Sequence, residues 1–332
     1  MLLSELGEFG FIDRIASLAD DDPRVVVGIG DDAAALDLGG PELVIVTTDA
    51  HLQGRHFDLA WMTPREVGWR AGAAAISDIA AMGARPVAVF CSCALPPEWP
   101  ADQAEELLAG LNEVAGSVDA VLAGGDTVAG EQVALDVVVI GSVPRGQELL
   151  RSGARPGQVL AVTGALGATG AALALLAEHG PEALDREALA PVRERFVHPH
   201  PRIEAGRAVA ASGRVTAAMD ISDGLAQDAG HIADRSGVAV VIEAERVPVA
   251  DGCAAISDEI GGDALVWALM GGEDFELLVA LDEDQVPALA AMSAVAEVGL
   301  TVVGRVEEGA GVRVIGPDGQ PIELASDGWE HF

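Results

Sequence analysis

The chain has 332 residues, half of them apolar, which is enough for two ordinary domains, and its 53 acidic residues against 19 basic ones give a formal net charge of -34. All 19 basic residues are arginines, and the absence of lysine excludes a P-loop, a protein-kinase strand lysine and Schiff-base chemistry. The charge argues against duplex DNA or an anionic membrane as partner.

In chain order, apolar runs at 25–29, 43–48, 86–95, 120–123 and 133–143 predict strands separated by helical stretches. The clearest helix opens at Thr63, which with Glu66 makes a capping box around Pro64, and is predicted to stop at Gly83. A second helix is predicted over 102–115. Cys91 and Cys93, two apart in a strand, share a face and read as core thiols. With Cys253 they make three cysteines, so no disulfide framework is expected and a reducing cytoplasm fits. Glu5 and Glu8 without a basic run predict no signal peptide.

The turn-rich, arginine-bearing passage from Pro144 to Gln158 predicts a boundary, dividing the chain at 1–148 and 149–332. Beyond it, strands are predicted at 159–163, 215–221, 238–242, 275–281 and 301–306, with helices over 169–178, 203–211 and 225–236. The uncharged stretch 159–177 carries Gly164, Gly167 and Gly170 and reads as strand, turn and helix rather than a membrane span. Its glycines either cradle a phosphate or permit close packing. His198-Pro199-His200-Pro201-Arg202 reads as a rigid turn into the next helix.

Six short clusters carry the chemistry: Asp31 with Asp32; Thr47, Thr48 and Asp49 with His56; Ser77 with Asp78; Asp126 with Thr127; Asp220, Ser222 and Asp223; and Glu273 with Asp274. Taken singly, an Asp beside Gly is usually a turn and an Asp or Ser at a strand end is often a cap. Asp78 is different, because it lies inside an alanine-rich helix where a buried carboxylate needs a partner. Together, carboxylates with hydroxyls are oxygen ligands for Mg²⁺ or Mn²⁺, and several such ions are characteristic of phosphate chemistry. A purely cation-binding acidic protein without catalysis is the alternative from another class.

The ordered set Gly30-Asp31-Asp32-Ala33-Ala34, Thr47-Thr48-Asp49, the run from Ser77 to Ala84, Gly124-Gly125-Asp126-Thr127, Asp220-Ile221-Ser222-Asp223-Gly224 and Gly271-Gly272-Glu273-Asp274, from Gly7–Ile12 to Gly328–Phe332, resembles the thiamine-monophosphate kinase family along essentially the whole chain. The resemblance implies ATP-dependent phosphorylation of thiamine monophosphate to thiamine diphosphate. It implies a mixed α/β, two-domain aminoimidazole-ribonucleotide synthetase-like fold, whose N-terminal sheet forms a barrel across a homodimer. By the same likeness Asp32, Thr47, Thr48, Asp49, Asp78, Asp126, Asp220 and Asp223 match Mg²⁺ ligands. Gly125, Asp126, Arg151 and Ser222 match ATP contacts, and His56 and Glu273 match substrate contacts. Asp31 is left as a supporting or alternative ligand. Ser326 stands where some members carry an aromatic residue, which makes Trp329 the candidate to stack on the thiamine. No general base is assigned. Within the superfamily the enzymatic rival is aminoimidazole-ribonucleotide synthetase; the missing lysine disfavours a selenophosphate synthetase, and Phe332 in place of a terminal cysteine disfavours a hydrogenase-maturation protein.

Overall fold

The computed structural model describes residues 7–16, 18 and 22–323. Among these, a first sheet is built from β1 (Val25–Val27), β2 (Ala34–Leu36), β3 (Glu42–Leu52), β4 (Arg85–Leu95), β5 (Val121–Ala129) and β6 (Ala134–Pro144), in the order β1-β2-β3-β6-β4-β5. Its pairs are antiparallel except β4 with β5, which the Ala101–Ser117 helix connects. β1 and β5 are free edges, so the sheet of this single chain is open and not a closed barrel.

The Pro64–Ala81 helix packs on this sheet. Thr63 caps it and the reciprocal Glu66 contact completes the expected capping box. The chain leaves through Gly83 at φ 68°, one residue past the cap Met82, a left-handed conformation that glycine adopts without steric cost. Neighbouring helices meet through a reciprocal notch. A Cβ on Gly68 would lie 1.8 Å from the Leu107 carbonyl oxygen, and one on Gly110 would lie 1.9 Å from that of Arg65. Gly68→Ala is therefore expected to destabilise by about 1–3 kcal/mol through overpacking, read as a lower denaturant midpoint. An unchanged midpoint would mean that the helices separate freely.

A second sheet follows: β7 (Val159–Thr163), β8 (Val215–Asp220), β9 (Ala239–Glu243), β10 (Leu277–Leu281), β11 (Leu300–Glu307) and β12 (Gly311–Ile315), ordered β12-β9-β11-β7-β10-β8. Every residue of β7 and β10 is buried, which is why both read in sequence as unbroken apolar runs rather than alternating ones. The 159–177 stretch is β7, a glycine turn and the Ala168–His179 helix, and no helix among the described residues is long and apolar enough to cross a membrane.

Several elements differ from expectation. β3 runs on to Leu52, so Asp49 lies inside a strand. β5 continues through the Gly124-Gly125-Asp126-Thr127 stretch, because parallel pairing with β4 offers these residues main-chain partners that outweigh the low strand preference of glycine and aspartate. The short β2 and β12 and the short helices Ala190–Val197, Cys253–Ile260 and Ala264–Met270 carry too few periodic positions to stand out. Cys91 and Cys93 are buried core thiols as expected, their sulfurs 3.5 Å apart.

Candidate active site

Two adjacent residues of the Pro64–Ala81 helix join the halves of the molecule. The Ser77 hydroxyl donates to Asp220 Oδ2 at 2.6 Å, and Asp220 is the last residue of β8. Asp78 Oδ2 accepts from the Thr47 hydroxyl of β3 at 2.5 Å. Arg151, from the connection between the sheets, donates through Nε (2.9 Å) and Nη2 (2.5 Å) to Asp32 Oδ1. One carboxylate oxygen each of Asp32, Asp78 and Asp220 falls within 4.8 Å of the others. Asp32 and Asp220 are buried and Asp78 is half-buried, so the helical carboxylate that sequence alone placed in the core opens onto this cluster.

Crowding sets the electrostatics. Burial, then the charges of Asp220, Asp32 and Asp49, hold the Asp78 carboxyl well above the usual range, against the Thr47 hydrogen bond. Burial and Asp32 push Asp220 up to about 7. Asp31, which accepts the Arg151 main-chain N–H, is pushed to about 6 by burial and Asp32. Burial pulls the Arg151 guanidinium down, but Asp32 and the other carboxylates hold it above its ordinary value. Asp32 Oδ2 is buried and has no hydrogen-bond partner. An oxygen-only ligand set with an orphaned carboxylate oxygen fits Mg²⁺ or Mn²⁺.

The other expected ligands divide. Asp49 is two residues along β3 from Thr47 and its charge reaches Asp78. Thr48 alternates to the opposite face, where its hydroxyl donates to Asp136 at 2.6 Å. Asp136 pairs with Ser92, and Ser92 with Asp126, so Asp126 follows on the exposed edge strand rather than in the three-carboxylate cluster. Gly125 has no room for a side chain, its Cβ position lying 1.9 Å from the Cys91 carbonyl oxygen. His56 lies just beyond β3, where its Nδ1 accepts the Leu52 N–H at 3.0 Å. Trp329 lies outside the described residues.

Ser222 and Asp223 occupy the loop between β8 and the Leu225–Ser236 helix. Asp228, which the opening of that helix places in its first turn, accepts the N–H groups of Ser222, Asp223 and Gly224 at 3.1, 3.2 and 3.1 Å. The Glu273 loop docks on the same segment: Glu273 N–H donates to the Ser222 carbonyl at 2.7 Å and Phe275 N–H to that of Ile221 at 2.9 Å. Gly272, Glu273 and Phe275 all have positive φ, a strained run held by its surroundings.

Residues that pattern reading missed support this loop. The buried guanidinium of Arg70 pairs with Glu273 and also donates to the Phe196 carbonyl. Fully buried Glu276 accepts Arg202 through two hydrogen bonds of 2.7 and 2.6 Å, with Thr163 donating at 2.7 Å. Their sequence signals, an arginine on the apolar side of an alanine-rich helix and a glutamate directly before the apolar run of β10, are charges at positions that burial should exclude. His198 and His200 both set their rings edge-on to Trp69, and with Thr169, Arg202 and Glu273 they line a cavity of about 140 Å³.

Comparison with known proteins agrees with this arrangement. The AIR synthase related protein N-terminal domain matches residues 30–143 and the AIR synthase related protein C-terminal domain matches residues 155–317. Thiamine-monophosphate kinase from Mycobacterium tuberculosis is 39% identical over 331 residues, covering 99% of this chain and 93% of its own length. The Bacillus subtilis thiamine-monophosphate kinase is 34% identical over 334 residues, covering 98% and 100%. The solved structure of AaThiL complexed with AMPPCP and TMP has a TM-score of 0.85 and 32% identity, covering 100% of this chain and 99% of that one. With its mixed α/β, two-domain architecture and its full-length likeness to these enzymes, the chain belongs to the thiamine-monophosphate kinase family.

Proposed function

We propose that this protein transfers the terminal phosphoryl group of ATP directly to the phosphate of thiamine monophosphate, forming thiamine diphosphate and ADP. The observation that carries the reading is the Asp32–Asp78–Asp220 cluster, three carboxylates drawn from both halves of the chain, with Arg151 beside it and an oxygen of Asp32 unsatisfied. The bond formed is from a substrate phosphate oxygen to the γ-phosphorus, and the bond broken is the β–γ bridge to ADP.

The nucleophilic oxygen belongs to a phosphate whose second pKa is near ~6, so it arrives ionised and needs no base. The difficulty is alignment of two polyanions. Bound Mg²⁺ would supply charge neutralisation there, held by Asp32, Thr47, Asp49, Asp78, Asp126, Asp220 and Asp223, whereas the Thr48 hydroxyl, on the other face of the strand with Asp136, stands apart from the cluster. Arg151 offers a fixed positive charge to the nucleotide phosphates, and its pairing with Asp32 keeps the guanidinium oriented. Ser222 and Gly125-Asp126 complete the ATP contacts. Glu273, oriented by Arg70, faces the small cavity as a substrate contact, with His56 and Trp329 as the other two.

The chain divides for this purpose at 1–148 and 149–332. A homodimer completes the open first sheet as a barrel; support comes from the free β5 edge, whose Val121 and Val128 are 60% and 54% exposed. The cytoplasm is the proposed location, in keeping with three free cysteines.

The test is ADP release with Mg-ATP and, in turn, thiamine monophosphate, thiamine or formylglycinamidine ribonucleotide, with products identified by mass. Diphosphate formed from the monophosphate alone is expected. ADP release with the ribonucleotide alone would assign the protein to the aminoimidazole-ribonucleotide branch, and silence with all three would favour a cation-binding protein without catalysis.

A further inference from the structure

Next to the Asp32–Asp78–Asp220 cluster stands a second group of different chemistry. Asp223, Asp228 and His231 each place one ligand-type atom within 4.8 Å of the other two. Asp228 and His231 are three apart on the Leu225–Ser236 helix and so share a face, one turn above the loop that carries Asp223. His231 Nε2 is 3.9 Å from Asp223 Oδ2, which also accepts the Gln227 side-chain amide at 2.9 Å.

Asp228 is the informative member. Its side chain is fully buried, and all three main-chain N–H groups of the Ser222–Gly224 turn converge on Oδ2. Oδ1 has no hydrogen-bond partner. Clamping the turn uses one oxygen, so the clamp accounts for half of the carboxylate only. A buried acceptor left unmade is destabilising, more so when charged, and a cation would relieve it. The two groups differ in kind: Asp32, Asp78 and Asp220 offer oxygen alone, which suits hard ions, whereas two carboxylates with an imidazole suit a borderline ion.

We propose that Asp223, Asp228 and His231 hold a further divalent transition cation of the Zn²⁺ kind, for which Mn²⁺ serves as the spectroscopic probe, with Asp223 shared with the Mg²⁺ ligand set and His231 as its nitrogen ligand. Such an ion satisfies Asp228 Oδ1 and ties the helix to the turn bearing Ser222 and Asp223. The inference does not rest on the kinase reading, because metal binding is measured without nucleotide or substrate and stands even if no phosphoryl transfer occurs.

The experiment takes the full chain, stripped with chelator and titrated with Mn²⁺ alone, and records electron spin-echo envelope modulation from directly bound imidazole nitrogen. Wild-type protein is expected to show the ¹⁴N modulation, and protein carrying ¹⁵N-histidine is expected to lose it in favour of the ¹⁵N pattern. His231→Gln should abolish the coupling, and Asp78→Asn, which alters the neighbouring cluster, should keep it. Asp228→Asn should weaken Mn²⁺ binding at this site ~10-fold or more. Absence of nitrogen coupling in the wild type, or coupling that survives His231→Gln, overturns the site. Undiminished affinity in Asp228→Asn removes Asp228 as a ligand and overturns the three-residue assignment. The isotope comparison needs no substitution and decides whether any of the seven histidines binds the ion; should His231→Gln fail to fold, His231→Asn makes the assignment, and coupling that survives it overturns the site.

Discussion

Asp78→Asn is expected to lower turnover by ~10³-fold while leaving the protein folded and its oligomeric state unchanged. The amide is nearly the same size and can still accept the Thr47 hydroxyl, so the helix and β3 stay in register. What disappears is one of three carboxylates converging on a point where charge must be neutralised during transfer. Metal assistance contributes several kcal/mol, and a loss of about 4 kcal/mol corresponds to ~10³ in rate. The same change should leave metal-free protein as stable as the wild type or more so, because it removes a carboxyl that Asp220, Asp32 and Asp49 already disfavour in its charged form. Steady-state rates and a thermal scan with chelator check both halves. Wild-type turnover in the variant would remove Asp78 from the ligand set, and a collapsed midpoint would assign it to the core instead.

The second large effect is a loss of stability with rising pH in metal-free protein. Asp220 is raised from 3.8 to about 7, Asp31 to about 6 and Asp274 to about 8, in each case first by burial. Between the unfolded and folded pKa values the native state holds more protons than the unfolded chain. Stability therefore declines as pH rises from about 4 to about 8 and levels off above it. For Asp220 alone, about three pKa units correspond to roughly 4 kcal/mol. Saturating Mg²⁺ should cancel the Asp220 and Asp31 share, because the cation takes the place of the proton. The Asp274 share should persist, since that carboxylate accepts the Gly167 N–H at the start of the Ala168–His179 helix and lies outside the cluster. Denaturant midpoints from pH 5 to 9, with and without Mg²⁺ and in Asp274→Asn, separate the two. A flat metal-free profile would mean that the cluster carries its charge without strain.

Much of this protein was legible in the residues before any fold was known. Continuous apolar runs announced β7, β8, β9 and β10, because strands covered on both faces need no polar alternation. Thr63 and Glu66 marked the start of the central helix, since a capping box is a local contact that four consecutive residues make by themselves. The lack of lysine excluded whole classes of nucleotide binding. The clustered aspartates pointed to cations because carboxylates and hydroxyls are what hard ions require.

Tertiary structure decided what depends on contacts distant in sequence. Only the meeting of the two halves brings Ser77 to Asp220 and Arg151 to Asp32, across 143 and 119 positions of chain. Only strand register sends the Thr48 side chain to Asp136 and away from Thr47, since a period of two puts neighbours on opposite faces. The sheet edge absorbed the glycine-rich stretch around Asp126, a pairing no local preference predicts. The support of Glu273 by Arg70 was invisible for the same reason: an arginine in a helix does not say which carboxylate, 203 residues away, will satisfy it. Composition and local pattern thus determined the chemistry this chain is able to hold, and long-range pairing determined which of its carboxylates share one charge-dense site, because electrostatic crowding exists only between groups that folding brings within a few ångströms.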